Sequence, residues 1–158
     1  MAKKANQFRN LREIEKYLKD TIPNQIMSDG KVEDILRNSM RQAVQEVVYD
    51  AYLPEYYKRR GANGGLLDTD AMQITDVLMD GKNFKMIFEN LAKGQDSMKN
   101  EFIADTIEEG IADNWQKTGV WSNPRPFVRE TMNRIKSNPK PLIEAVKSSF
   151  INCGFKVK

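Results

Sequence analysis

Residues 73–88 read Gln73-Ile74-Thr75-Asp76-Val77-Leu78-Met79-Asp80-Gly81-Lys82-Asn83-Phe84-Lys85-Met86-Ile87-Phe88. Two β-prone runs flank an Asp-Gly pair, the strongest short-range signal for a hairpin. In the second run Phe84, Met86 and Phe88 alternate with Lys85 and Ile87, as a strand with one buried face requires. The first run, 73–78, alternates less clearly and leaves its register open. The other periodic runs, on either side of this hairpin, have helical spacing, so the fold class is α+β.

Upstream, Ser28-Asp29-Gly30 is a turn and helix-start signal, with Glu33 and Asp34 in the first turn, where the helix dipole favours acids. Val32, Ile35, Leu36, Met40, Ala43, Val44, Val47 and Val48 recur at helical spacing. The pattern predicts a central core helix over residues 31–49, the longest of the chain. Before it, Phe8, Leu11, Ile14 and Leu18 make one narrow stripe, and Pro23 is expected to end that helix because proline disfavours helix at the residue before it. Residues 1–27 therefore read as an N-terminal helical arm, lying on a partner or ordering on assembly. Residues 28–158 read as a single α+β domain.

Downstream, residues 92–100 are polar loop, and Glu101 to Ala112 is mostly helical in spacing through Phe102, Ile103, Ile107 and Ile111. Residues 118–123 form another loop. Pro124-Arg125-Pro126 opens a helix with Phe127, Val128, Met132 and Ile135 on its apolar face. Asn138-Pro139-Lys140-Pro141 breaks it, and a last helix carries Leu142, Ala145, Val146, Ser149 and Phe150, with Gly154 as its C-cap. The expected architecture is a long central helix and C-terminal helices packed on a small antiparallel sheet, with long loops.

Composition restricts the chemistry. The 158 residues are 40% hydrophobic, enough for one core. Twenty-five basic residues against 22 acidic ones leave a net charge of +3, too little for a dedicated nucleic-acid binder. Histidine is absent, which removes the commonest general base and zinc ligand. The single cysteine, Cys153, cannot staple the fold and reads as inert. No phosphate loop, nucleophile elbow or metal-ligand cluster is present, so no catalytic residue, metal or cofactor is expected. Glu108-Glu109 read as a solvated face, and Asp68 with Asp70 as a weak cation site lacking a third anchor. No signal sequence or membrane span is expected, and the chain is expected to be made in a bacterial cytoplasm.

Four tyrosines crowd residues 49–57 before Lys58-Arg59-Arg60 and the glycine-rich Ala62-Asn63-Gly64-Gly65. Cations can pair with phosphates while rings stack on bases, as in single-strand binders. Alternatively the tyrosines pack at the rim of the core while the cations stay in water. Tyr52, Tyr56, Tyr57, Arg59 and Arg60 are candidate interface residues, with Lys58, Arg59 and Arg60 the candidates for facing DNA. Trp115 and Trp121 flank a polar loop and read equally as interface anchors or as partly buried tryptophans. The glycines make ordering of residues 52–67 costly, so an open loop that orders on a neighbour is expected.

The order of these features resembles the tail-completion and head–tail joining proteins of long-tailed double-stranded DNA bacteriophages. Phe102-Ile103-Ala104-Asp105-Thr106-Ile107-Glu108-Glu109-Gly110 is similar to the Glu-Gly segment of that family, with Phe102 where a tyrosine usually leads. Pro124-Arg125-Pro126-Phe127-Val128-Arg129-Glu130-Thr131 is similar to its Pro-Phe helix start. The block Tyr52 to Arg60, with Gly64-Gly65-Leu66-Leu67-Asp68, resembles small structural proteins of phages from Gram-positive hosts. The tyrosine and glycine insertion departs from the usual compact pattern.

The resemblance covers residues 28–150 loosely. It implies a virion protein without enzymatic activity that assembles as a ring, expected to be six-fold, at the head–tail junction. Its expected partners are head-completion or connector proteins and tail-tube proteins, with transient contact to passing DNA and none to membranes. Tail terminator, head closure and another neck ring stay open as positions. The competing functions are a nucleic-acid-binding accessory protein using residues 49–60 and a small carboxylate enzyme.

Overall fold

The structure, a computed structural model, describes residues 8–51, 53, 58–80, 83–94, 101–110 and 123–157. Among these the chain forms five α-helices and a two-stranded antiparallel sheet, an α+β fold. The helices are α1 (Leu11–Asp29), α2 (Lys31–Val44), α3 (Ala104–Glu109), α4 (Phe127–Ser137) and α5 (Lys140–Asn152). The strands are β1 (Met72–Asp80) and β2 (Asn83–Asn90). None of these helices is long and apolar enough to cross a membrane. The chain divides into two compact units, one of residues 1–35, 74–87 and 138–158, the other of residues 36–73 and 88–137.

In the first unit, the Asn10 side chain caps α1 by accepting from Glu13 N at 2.9 Å, while the Glu13 carboxylate accepts from Arg9 N. This is a variant of the reciprocal capping box. The expected stop at Pro23 does not occur: α1 runs on to Asp29 and is closed by Gly30 in the left-handed conformation. An interior proline costs a helix about 3 kcal/mol relative to alanine. Against that stand Ile22 and Ile26, both fully buried, each contributing about 1.5–3 kcal/mol by burial. Burial on both sides of the proline offsets the break. Of the stripe, Phe8, Ile14 and Leu18 are half-buried, while Leu11 is 83% exposed.

The helix expected to lie on a partner packs along α5 of its own chain. Tyr17 sets its ring 5.1 Å from Phe8 and 5.9 Å from Phe155, and its hydroxyl donates to Cys153 O. The hairpin contributes its distal part here, with Ile74 and Val77 buried. These two inward residues lie three apart, so the inward face of β1 changes parity along the strand, the physical basis of its ambiguous alternation. At the edge of β1, Ile74 N donates to Glu33 Oε1 of α2 at 3.0 Å.

The second unit holds the larger core: Met40, Ala43, Val44, Val48, Leu66, Met72, Ala92, Ala104, Ile107 and Phe127. The predicted helix over 31–49 is present with a change of pitch, α2 passing into a π-helical turn at Gln45–Tyr49 in which Asp50 N donates to Gln45 O. Helix and turn together match the 19 residues of α1, so the rank of longest helix is shared. Arg37 Nε donates to Met72 O at 2.8 Å, holding the start of β1 to α2. Of β2 this unit takes residues 88–90, with Phe88 half-buried. In the first unit's part Phe84 and Met86 are half-buried and Lys85 is exposed, the predicted alternation, although Ile87 is half-buried too. Residues 81–82, on which the Asp-Gly turn falls in part, lie outside the described residues.

Candidate functional site

Both candidate regions lie in the second unit. The first is the segment after the π-helical turn. Arg59 is half-buried, donating from Nη1 to Tyr49 O at 2.6 Å with its guanidinium 4.8 Å from the Tyr49 ring centroid. A hydrogen bond and a cation–π contact from one side chain close the segment onto the turn it leaves. The expectation that the cations stay in water is therefore corrected for Arg59. Arg60 Nη2 donates to Lys93 O, while Lys58 is exposed.

Residues 60–70 are a run of hydrogen-bonded turns. Asn63 N donates to Arg60 O at 3.0 Å and Leu67 N to Gly61 O at 3.2 Å. Asp68 accepts Gly64 N on one oxygen and Asp70 N on the other, so this carboxylate organises the turns. Gly65 is needed for close approach, because a Cβ there would lie 2.6 Å from Gly61 O. Leu66 enters the core, and the buried Asn90 donates to its carbonyl at 2.9 Å while accepting from Ala92 N. The part of the loop expected to be open thus has built structure from residue 58 onward. The remaining interface candidates Tyr52, Tyr56, Tyr57, Trp115 and Trp121 lie outside the described residues.

Beyond β2 a short antiparallel bridge pairs Lys93 with Phe102. Gly94 N donates to Glu101 O and Ile103 N to Ala92 O on either side of it. Lys93 Nζ stands 5.6 Å from the Phe102 ring centroid, and Phe102 is 50% exposed. The carbonyl of Lys93 is the acceptor for Arg60, so one backbone pair brings together two cations and an aromatic ring. Spacing along the chain did not show this, because Arg60 and Lys93 are 33 residues apart.

The second region joins α3 to α4. Arg125 N donates to Ile107 O at 2.9 Å, and Glu108 accepts from Val128 N at 2.7 Å and Arg129 N at 3.1 Å. The orphan amides opening α4 thus receive a carboxylate from another helix, where the dipole also favours negative charge. The sequence reads Glu108 as a solvated face, but its oxygens are committed to this cap, whereas Glu109 is exposed. Gly110 ends α3 at φ 65°, and a Cβ on it would lie 2.5 Å from Pro124 N. Only glycine satisfies both that left-handed conformation and that contact. Phe127, fully buried beside Ala104 and Ile107, completes the joint, and Arg134 of α4 pairs with Glu46 of the π-helical turn and with Glu130.

No group of three or more histidine, cysteine, aspartate or glutamate residues is arranged to hold a metal ion among the described residues. Cys153, in the first unit, is 2% exposed, and burial pushes its thiol above the ordinary range, the reverse of what activates a nucleophile.

A family model described as YomN matches residues 10–152. No curated protein and no solved structure matches.

Proposed function

The chain belongs to the YomN family, which is phage-associated, and we propose from that premise that it is a structural subunit of a tailed-phage virion. In this proposal it works by assembly, as a ring at the head–tail junction between connector and tail-tube proteins, and performs no chemistry of its own. One observation carries the proposal. The two blocks through which the sequence resembles head–tail joining proteins, residues 102–110 and 124–131, form a single joint built on Glu108, Gly110 and Phe127. Two motifs 14 residues apart in sequence are one structural unit, and that is the support for reading them together. A closed ring needs a heterologous interface repeated by rotation. Trp115 and Trp121 are the residues proposed to anchor it, since large aromatics dominate interfaces.

The test is deletion of the gene from its phage, with electron microscopy of the lysate and mass spectrometry of purified particles. Unjoined heads and tails are expected without the protein, and the protein itself is expected in the intact virion. Complementation with Trp121→Ala should restore joining poorly while the variant's melting temperature stays near that of the parent. Normal joined particles from the deletion, or virions lacking the protein, would exclude the role.

A further inference from the structure

We infer that Lys58, Arg60, Lys93 and Phe102 form a binding surface for single-stranded nucleic acid, the cations meeting phosphates and the phenyl ring stacking on a base. The inference goes beyond the assembly role and does not rest on it. Lys58 lies two residues from Arg60, Arg60 donates to the backbone carbonyl of Lys93, and the Lys93 ammonium stands 5.6 Å from the Phe102 centroid. None of the three cations forms an ion pair with a described carboxylate, and Glu101, exposed beside Phe102, pairs with none of them. Arg60 spends one guanidinium N–H on the Lys93 carbonyl, which fixes its position and leaves further donors for a ligand.

The ring decides the class of partner. An acidic protein would satisfy the cations but would cover the ring only by placing an apolar residue beside its carboxylates. A duplex keeps the faces of its bases inside the stack. A single strand offers phosphates and base faces together, and stacking on an aromatic side chain tolerates any sequence. Arg59 has a different part. It is a positioning residue, holding the segment to Tyr49 so that its neighbours Lys58 and Arg60 present their charge.

The test uses the full chain and a fluorescein-labelled twenty-residue oligothymidylate, followed by anisotropy at 50 and 200 mM salt. Three neutralised phosphates give a slope of about −2 in log K against log salt for a single strand. The variant Lys58→Ala/Lys93→Ala leaves the backbone carbonyl that holds Arg60 in place. It should bind about fivefold or more weakly, with the slope falling to about −0.7. Phe102→Ala should lose about fivefold or more at an unchanged slope, and Phe102→Trp should restore binding.

Several outcomes would overturn the inference. They are no binding of the oligothymidylate at 50 mM salt, a Phe102→Ala variant as tight as the parent, or a twenty-base-pair duplex bound equally well. Displacement of the strand by polyglutamate at equal charge would assign the surface to an acidic protein instead.

Discussion

A carboxylate placed across a gap in the chain can matter more than its neighbour in sequence. Glu108 accepts two amides at the start of α4, whereas Glu109 is exposed. Loss of a capping side chain costs about 1 kcal/mol, within a range of roughly 0.5–2. Glu108→Ala should therefore lower the urea-unfolding free energy by about 1–2 kcal/mol, and Glu108→Gln by less, since an amide oxygen still accepts. Glu109→Ala should stay within about 0.5 kcal/mol of the parent. Equal losses from Glu108→Ala and Glu109→Ala would show the cap to be absent in solution. Phe127 acts at the same joint through packing: it is fully buried among Ala104, Ile107 and the α2 residues of the core. Phe127→Ala should cost about 3–5 kcal/mol in the same measurement. A loss under about 1 kcal/mol would remove that ring from the core.

Among the elements, α1 carries the sharpest conflict between local preference and packing. Pro23 supplies no N–H and crowds the carbonyl one turn before it, yet the helix passes through, with Ile22 and Ile26 buried. Replacing it by alanine restores the missing hydrogen bond and leaves both isoleucines in place. Pro23→Ala should stabilise the protein by about 1–3 kcal/mol, and circular dichroism should show no loss of helix. No gain in denaturant midpoint would mean that the helix ends near Thr21 in solution. The π-helical turn after α2 is a second departure from regular geometry. Its last residue, Tyr49, receives Arg59, so the widened turn is tied to the segment that follows it.

For the molecule as a whole, α2 and both strands each supply residues to both compact units. Global unfolding reports on a group buried in either unit if the two unfold together. Cys153 provides such a report through pH. Burial raises its thiol pKa, so the folded state holds the proton more tightly than the unfolded chain does. The stability tied to that thiol is complete below the unfolded value, about 8.5, and is lost as pH rises toward the folded value. Unfolding free energy measured in reductant from pH 8 to 10 should fall more steeply for the parent than for Cys153→Ala. Parallel curves would indicate a thiol open to solvent. Net charge changes little between the two chains, so the comparison isolates the one group.

The sequence by itself determined the class of the fold and most of its elements. Two β-prone runs around Asp80-Gly81 specified the strands, with period-two alternation clear only in the second. Helical spacing from Val32 to Val48 specified α2 and its continuation, and the prolines at 124 and 126 marked the start of α4. These signals are local, because side chains two, three or four residues apart meet on one face whatever the rest of the chain does. Tertiary structure alone decided that α1 crosses Pro23, since the helix buries Ile22 and Ile26 and packs along α5, far along the chain. It alone decided that Glu108 caps α4 across 20 residues and that Arg59 turns inward to Tyr49. It also brought Arg60, Lys93 and Phe102 into one surface. A cation or a carboxylate carries the same local signature whether it ends in water, on a helix terminus or over a ring. Which of these it meets depends on the path of the backbone between the partners, and no short-range pattern encodes that path.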